Sequence, residues 1–146
     1  MIKRLGHLAI RARDIEKTAA FYRDVLGLPE AFRMQDPSGT KLGSVHLFFA
    51  PGQFLEIFPG GTEPRSTSQE TIGLHHFCIE VDDAAAALET LRAKGAPIDT
   101  ELKTGYSRCI QFWTHDPDGN ALEFMELPPD CLQVEANARV YGAATK

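Results

Sequence analysis

Cysteine is scarce in this sequence: Cys78, Cys109 and Cys131 are the only three in 146 residues. They are too few and too scattered for a disulfide framework or a cysteine-based zinc site, and they read as free thiols in a reducing compartment. Long apolar runs are missing as well. No window approaches the roughly 20 apolar residues of a membrane span, and the opening MIKRLGHLAI is too short in hydrophobic sequence for a signal peptide. The expected location is the cytoplasm. Runs of Lys or Arg are also absent, and a formal charge of −5 gives little electrostatic reason to bind nucleic acid or an anionic membrane. Small molecules or other proteins are the expected partners. What the chain does have is 43% hydrophobic residues, enough for one ordinary domain to bury a core without disulfides.

The sequence is also written twice. GHLAIRA reads as a short strand, and Ile15, Ala19, Tyr22 and Leu26 then recur at helical spacing over residues 14–25, with Gly27 as the stop. From His75 the order repeats: strand HFCIEV, Asp82-Asp83 as a helix start, an Ala-rich helix through Leu88 and Leu91, and Gly95 as the stop. Each helix is followed by apolar pairs that read as hairpins, SVHLFFA with QFLEIF, and SRCIQFWTH with NALEFMEL around DPDG. The expected fold is α+β, two tandem βαβββ modules forming a curved mixed sheet with a concave inner face. Residues 1–60 form the first module, 61–73 a Gly/Ser/Thr-rich linker, 74–127 the second module and 128–146 a weakly helical tail. A unit of this size cannot bury one face of its sheet alone, so two copies should pack together, within a chain or between chains.

Strand alternation decides which side chains share the inner face. Leu8 and Ile10 take the side that the helix covers, leaving His7, Ala9 and Arg11 on the other. In the second copy Phe77, Ile79 and Val81 take the covered side with His75 in line, while His76, Cys78 and Glu80 face inward. Superposing the copies pairs His7 with His76, and aligning FLEIF with ALEFM pairs Glu56 with Glu123. The separations are 49 residues from 7 to 56 and 47 from 76 to 123. A carboxylate between Leu55 and Ile57, or between Leu122 and Phe124, is costly to bury unless a cation or strong donors await it. Two such strands, each in register with an inward histidine, point to a divalent metal held by two imidazoles and two carboxylates. Ni, Co, Zn, Mn and Fe all suit that donor set. His46 and His115 have no partner in the repeat and read as surface or hairpin residues.

These motifs, HLAIRARDIEKTAAFYRDVLGL, FLEIF, GLHHFCIEVDD and DPDGNALEFMEL, resemble the vicinal oxygen chelate superfamily of glyoxalases, bleomycin-resistance proteins and extradiol dioxygenases over residues 1–127. The resemblance implies a metal cup with ligands at His7, Glu56, His76 and Glu123. That His, Glu, His, Glu pattern is similar to glyoxalase I, a lactoylglutathione lyase acting on the hemithioacetal of methylglyoxal. It also implies Glu123 as catalytic base, with Glu56 as ligand or as base for the opposite stereoisomer. Arg11 matches an arginine that pairs with a substrate carboxylate, and Lys103 falls in a loop region where such enzymes carry an anion-binding lysine. Phe49, Phe54 and Phe112 are candidates for the cavity wall. Related activities within the superfamily are acyl-CoA epimerase-like isomerisation, ring-cleaving dioxygenation and metal-free drug binding. Loops at residues 33–43, 60–73 and 101–107 are expected to choose the substrate. A homodimer is expected, symmetric dimers being the most frequent oligomers.

Overall fold

Alternating and helical patterns resolve, in the computed structural model, into eight strands and three helices among the described residues, which are 2–144 apart from 65, 67, 69 and 71. Four positions of the expected linker, and residues 145 and 146 of the expected tail, therefore lie outside the described residues. The chain divides into two units, Met1–Ser68 with the turn Asp116–Asn120, and Gln69–His115 with Ala121–Lys146.

In the first unit β1 (His7–Arg11) leads into α1 (Ile15–Ala20), where the Asp14 side chain accepts hydrogen bonds from the backbone N–H of Glu16 and Lys17. Such a cap satisfies donors that a helix start otherwise leaves open. The helix expected as one stretch continues as a π-helical turn, Phe21–Val25, which buries Phe21 and Tyr22 on successive positions. Gly27, at φ 80°, then ends it in a conformation that costs other residues a steric clash. Next come β2 (Glu30–Gln35), β3 (Leu42–Ala50) and β4 (Gln53–Phe58). The sheet order is β1-β4-β3-β2, with β1 parallel to β4 and the other pairs antiparallel. Val45, Leu47, Leu55 and Ile57 are fully buried, on a sheet that α1 contacts through β3 and β4. Each is worth about 1.5–3 kcal/mol relative to exposure.

A buried acid completes this unit. Asp116 is 1% exposed and accepts from the Tyr22 hydroxyl at 2.9 Å, from the Asn120 side-chain amide and from the backbone N–H of Asp118 and Asn120. Asp118 accepts in turn from the Arg13 backbone and the Thr18 hydroxyl.

The second unit repeats the order with β5 (Phe77–Glu80), α2 (Ala84–Ala93), β6 (Thr100–Thr104), β7 (Ile110–His115) and β8 (Ala121–Glu126), arranged β5-β8-β7-β6. The fold is thus α+β, with tandem βαβββ modules built on mixed four-stranded sheets. Asp83 caps α2 and Gly95, at φ 77°, ends it. Part of two expected loops is strand: residues 33–35 belong to β2 and 101–104 to β6. Both lie at sheet edges with mostly exposed, polar-rich faces, so neither carries the apolar signal that marks an inner strand. The tail forms α3 (Leu132–Ala144), beside whose start Cys131 and Val134 pack with Cys109, Met125 and Leu127. All three cysteines are free. Among the described residues no helix is long and apolar enough to cross a membrane.

Candidate functional site

The exposure of β1 alternates as parity requires: His7, Ala9 and Arg11 are exposed and Ile10 is buried. The strand register then fixes the carboxylate, since Ala9 stands beside Glu56 across the parallel β1–β4 pair. Glu56 is only 8% exposed, and its Oε2 lies 3.6 Å from His7 Nε2. Its other oxygen meets a residue that the repeat did not find. His46 Nε2 is 3.2 Å from Oε1, because His46 and Glu56 are direct neighbours across β3–β4. The expectation of a surface or hairpin His46 is therefore corrected: it is 8% exposed and stacked on Phe32. The signal available in sequence was its alternation with Val45 and Leu47, which puts it on the glutamate side of an apolar strand.

The second unit holds the matching pair. Cys78 stands beside Glu123 across β5–β8, and His76 Nε2 is 3.2 Å from Glu123 Oε2. Glu123 is 8% exposed. Burial, reinforced by the Glu123 carboxylate, pushes the Cys78 thiol up to about 12. His75 departs from expectation. β5 begins at Phe77, so strand alternation does not govern the residues before it; His75 is exposed, and its Nδ1 lies 2.7 Å from Nδ1 of His76. Both rings contact Trp113 edge-on.

Of the expected substrate contacts, Arg11 donates to the Pro59 carbonyl at 2.7 Å, lies over Phe58, and borders an open cavity of about 520 Å³ with Met34, Lys41 and Ser44. Lys103 is on strand β6 and not in a loop. It faces Gln111 across β6–β7 and borders an open cavity of about 830 Å³ with His75, Thr100, Tyr106, Ser107 and Trp113. Of the three phenylalanines, Phe112 is corrected. Phe112 is fully buried and stacks on Phe124, one position out of phase with Glu123 and hence on the opposite face of the sheet. Phe49 falls at the irregularity between Phe48 and Ala50, whereas Phe48 and Phe54 share the His46 and Glu56 side. His115 pairs with Asp99 at the hairpin end, in line with its expected surface role.

Among the described residues no three or more His, Cys, Asp or Glu side chains are gathered to hold a metal ion as placed. What each unit presents is a His–Glu pair. The ion pairs of both carboxylates are with imidazoles, not with Lys or Arg. Imidazole nitrogen and carboxylate oxygen are the donors that first-row divalent ions accept, so the residues fit such an ion chemically.

Comparison with known proteins agrees with the architecture. Over 96 residues the chain is 35% identical to the mitochondrial methylmalonyl-CoA epimerase of Mus musculus, covering 62% of this chain and 53% of that one. Over 134 residues it is 28% identical to a probable chloroplastic lactoylglutathione lyase of Arabidopsis thaliana, covering 87% of this chain and 37% of that one. The chain thus spans about half the length of the first relative and little more than a third of the second. The crystal structure of a glyoxalase family protein from Enterococcus faecalis superposes with a TM-score of 0.74 at 26% identity, covering 85% of this chain and 98% of that one. The family model for the glyoxalase/bleomycin resistance protein/dioxygenase superfamily matches residues 4–124, and the chain belongs to that superfamily.

Proposed function

We propose that this protein is a metal-dependent lyase or isomerase of the glyoxalase I type, moving a proton on a carbon next to a carbonyl, with a thiol hemithioacetal of methylglyoxal as the candidate substrate. The observation that carries the reading is the repeated pair, His7 with Glu56 and His76 with Glu123, each glutamate buried beside an imidazole at the same register. These four side chains would hold one divalent ion, the two pairs meeting within a chain or across a homodimer. Bound there, the ion supplies Lewis acidity toward substrate oxygens.

The chain's own groups do the rest. Glu123 takes the proton from carbon and returns it to the neighbouring carbon, a role worth about 10²–10⁴-fold. Glu56 is a ligand or serves the opposite stereoisomer. Arg11 offers a planar fork to a substrate carboxylate, and Lys103 offers a point charge beside hydroxyls and an indole. A second reading, an acyl-CoA epimerase, is supported by the higher identity to the mouse protein. It needs the same kind of proton movement.

A turnover screen tests both. Protein loaded with Ni²⁺, Co²⁺, Zn²⁺ or Mn²⁺ is offered hemithioacetals of several thiols, acyl-CoA epimerase substrates and catechols. Isomerisation of a hemithioacetal is expected, and Glu123→Gln should lower kcat about 10²–10⁴-fold with metal still bound. Epimerase turnover alone would move the assignment to the second reading. Oxygen uptake with ferrous iron and a catechol, or ligand binding without product or metal, would overturn both.

A further inference from the structure

Cys109 and Cys131 have no part in the site described above, yet the structure packs them with Met125 in one buried cluster, both shielded from solvent and both free thiols. They sit on different elements. Cys109 directly precedes β7, and Cys131 directly precedes α3. Polar contacts pin these two segments to each other: the Leu132 backbone N–H donates to the Ser107 carbonyl at 2.9 Å, the Cys109 thiol donates to the Gln133 side-chain oxygen at 3.3 Å, and Arg108 pairs with Glu135 at 2.7 Å. Arg108 holds φ at 66°, a left-handed conformation that residues other than glycine rarely adopt.

This docking decides how α3 is attached. Val134 and Ala136 are partly buried, whereas residues 137–142 are exposed, so the helix is held mainly through its first turn. Met125 lies two positions beyond Glu123 on β8, and alternation puts both on one face of the sheet. The base of α3 therefore covers the end of the face that carries Glu123. Burial, and with it the adjacent Cys131 thiol, push the Cys109 thiol up, which keeps it slow to react while α3 is docked.

We propose that Cys109 and Cys131 are a modification site at which a hydroperoxide forms a reversible disulfide, clamping the base of α3 onto the Glu123 face. The first turn of α3 shields both thiols, so reaction begins when that turn lifts. One thiolate attacks a peroxide oxygen, forming a sulfenic acid as the O–O bond breaks and an alcohol leaves, or water in the case of hydrogen peroxide. The second thiol attacks the sulfenic sulfur, forms the S–S bond and expels water. The two sulfurs together lose two electrons to the peroxide, and the two thiol protons depart on the alcohol and the water. A small thiol in excess reduces the bond again by exchange.

Treatment of the full chain with hydrogen peroxide tests this. The folded protein should lose two hydrogens in mass, and fragments cut between the cysteines, after Glu123 or Glu126, should stay joined through Cys109 and Cys131 until a reductant is added. The Leu132 amide, the donor to Ser107, should then exchange its hydrogen about 10-fold more slowly than in reduced protein. Cys131→Ala should show neither change. Thiols at 109 and 131 that both stay free under peroxide overturn the proposal, as does a link that uses Cys78 instead. A Cys109–Cys131 link that leaves Leu132 exchange unchanged, or slowed exchange in Cys131→Ala, overturns the clamp. Should that variant fail to fold, fragment mapping and exchange in the wild type decide.

Discussion

Cys78 illustrates how burial and an adjacent charge together set the chemistry of a side chain. Its residue is exposed, yet burial of the thiol and the adjacent Glu123 carboxylate push its ionisation up to about 12. Thiols react as thiolates, so alkylation of Cys78 in metal-free protein at pH 8 should run roughly 10²–10³-fold slower than that of an ordinary cysteine, followed by mass spectrometry with iodoacetamide. Glu123→Gln should speed it. An unchanged rate in that variant would mean that the carboxylate charge does not control the thiol. At this scale the sequence was partly legible. Glu56 and Glu123 were legible as buried carboxylates because a charged residue between two buried apolar neighbours breaks the strand's apolar pattern twice, at matched register. His46 was missed because its counterpart is Trp113, and a comparison of repeats is blind where the copies have diverged. Alternation misplaced His75 because it was extended past the point where β5 begins; His76 precedes β5 as well, and its pairing with Glu123 was legible from the match of the two copies.

Elements were legible where a helix start and stop flanked a periodic run. Asp14 and Asp83 cap α1 and α2, and Gly27 and Gly95 end the helical segments. Asp14→Ala should cost about 1 kcal/mol in chemical denaturation, because two backbone donors lose their acceptor. The edge strands were not legible, since β2 and β6 expose most of their residues and so resemble loops in composition. Nor was the π-helical turn, whose buried Tyr22 gives the element a pH dependence. Burial first, and Asp116 second, hold the Tyr22 hydroxyl protonated well above its ordinary value of 10.0. Between the unfolded and folded values the unfolded chain binds fewer protons, so stability is complete below about pH 10 and falls as pH rises beyond it. Urea midpoints measured from pH 8 to 11 should decline above pH 10. Tyr22→Phe should remove its part of that slope while lowering stability at pH 8 through the lost hydrogen bond.

At the scale of the whole molecule, doubling a module doubles a half-site. If each His–Glu pair bound its own ion, the chain would take up two, and loss of one glutamate would leave one. The proposed arrangement uses both pairs for one ion, within a chain or across a homodimer. Elemental analysis should then find one divalent ion per chain, and Glu56→Ala and Glu123→Ala should each abolish most of it. Two ions in wild type with one retained in either variant would show independent sites. Light scattering after size exclusion tests the expected homodimer directly, and a monomeric mass would exclude the arrangement across two chains. The repeat made this level the most legible of all, because the order of strands, the helix positions and the His–Glu separations were readable from one alignment of the chain with itself.

The turn Asp116–Asn120 separates chain order from folding order. It belongs to the first unit although residues 69–115 come before it, and the Tyr22 hydroxyl, the Thr18 hydroxyl and the Arg13 amide find their acceptors there, about 100 positions downstream. During synthesis the N-terminal half must therefore wait for about two thirds of the remaining chain before its last polar groups meet these acceptors. Nascent chains halted after residue 68 should be open to proteolysis, and protection should arrive only once residue 120 has left the ribosome.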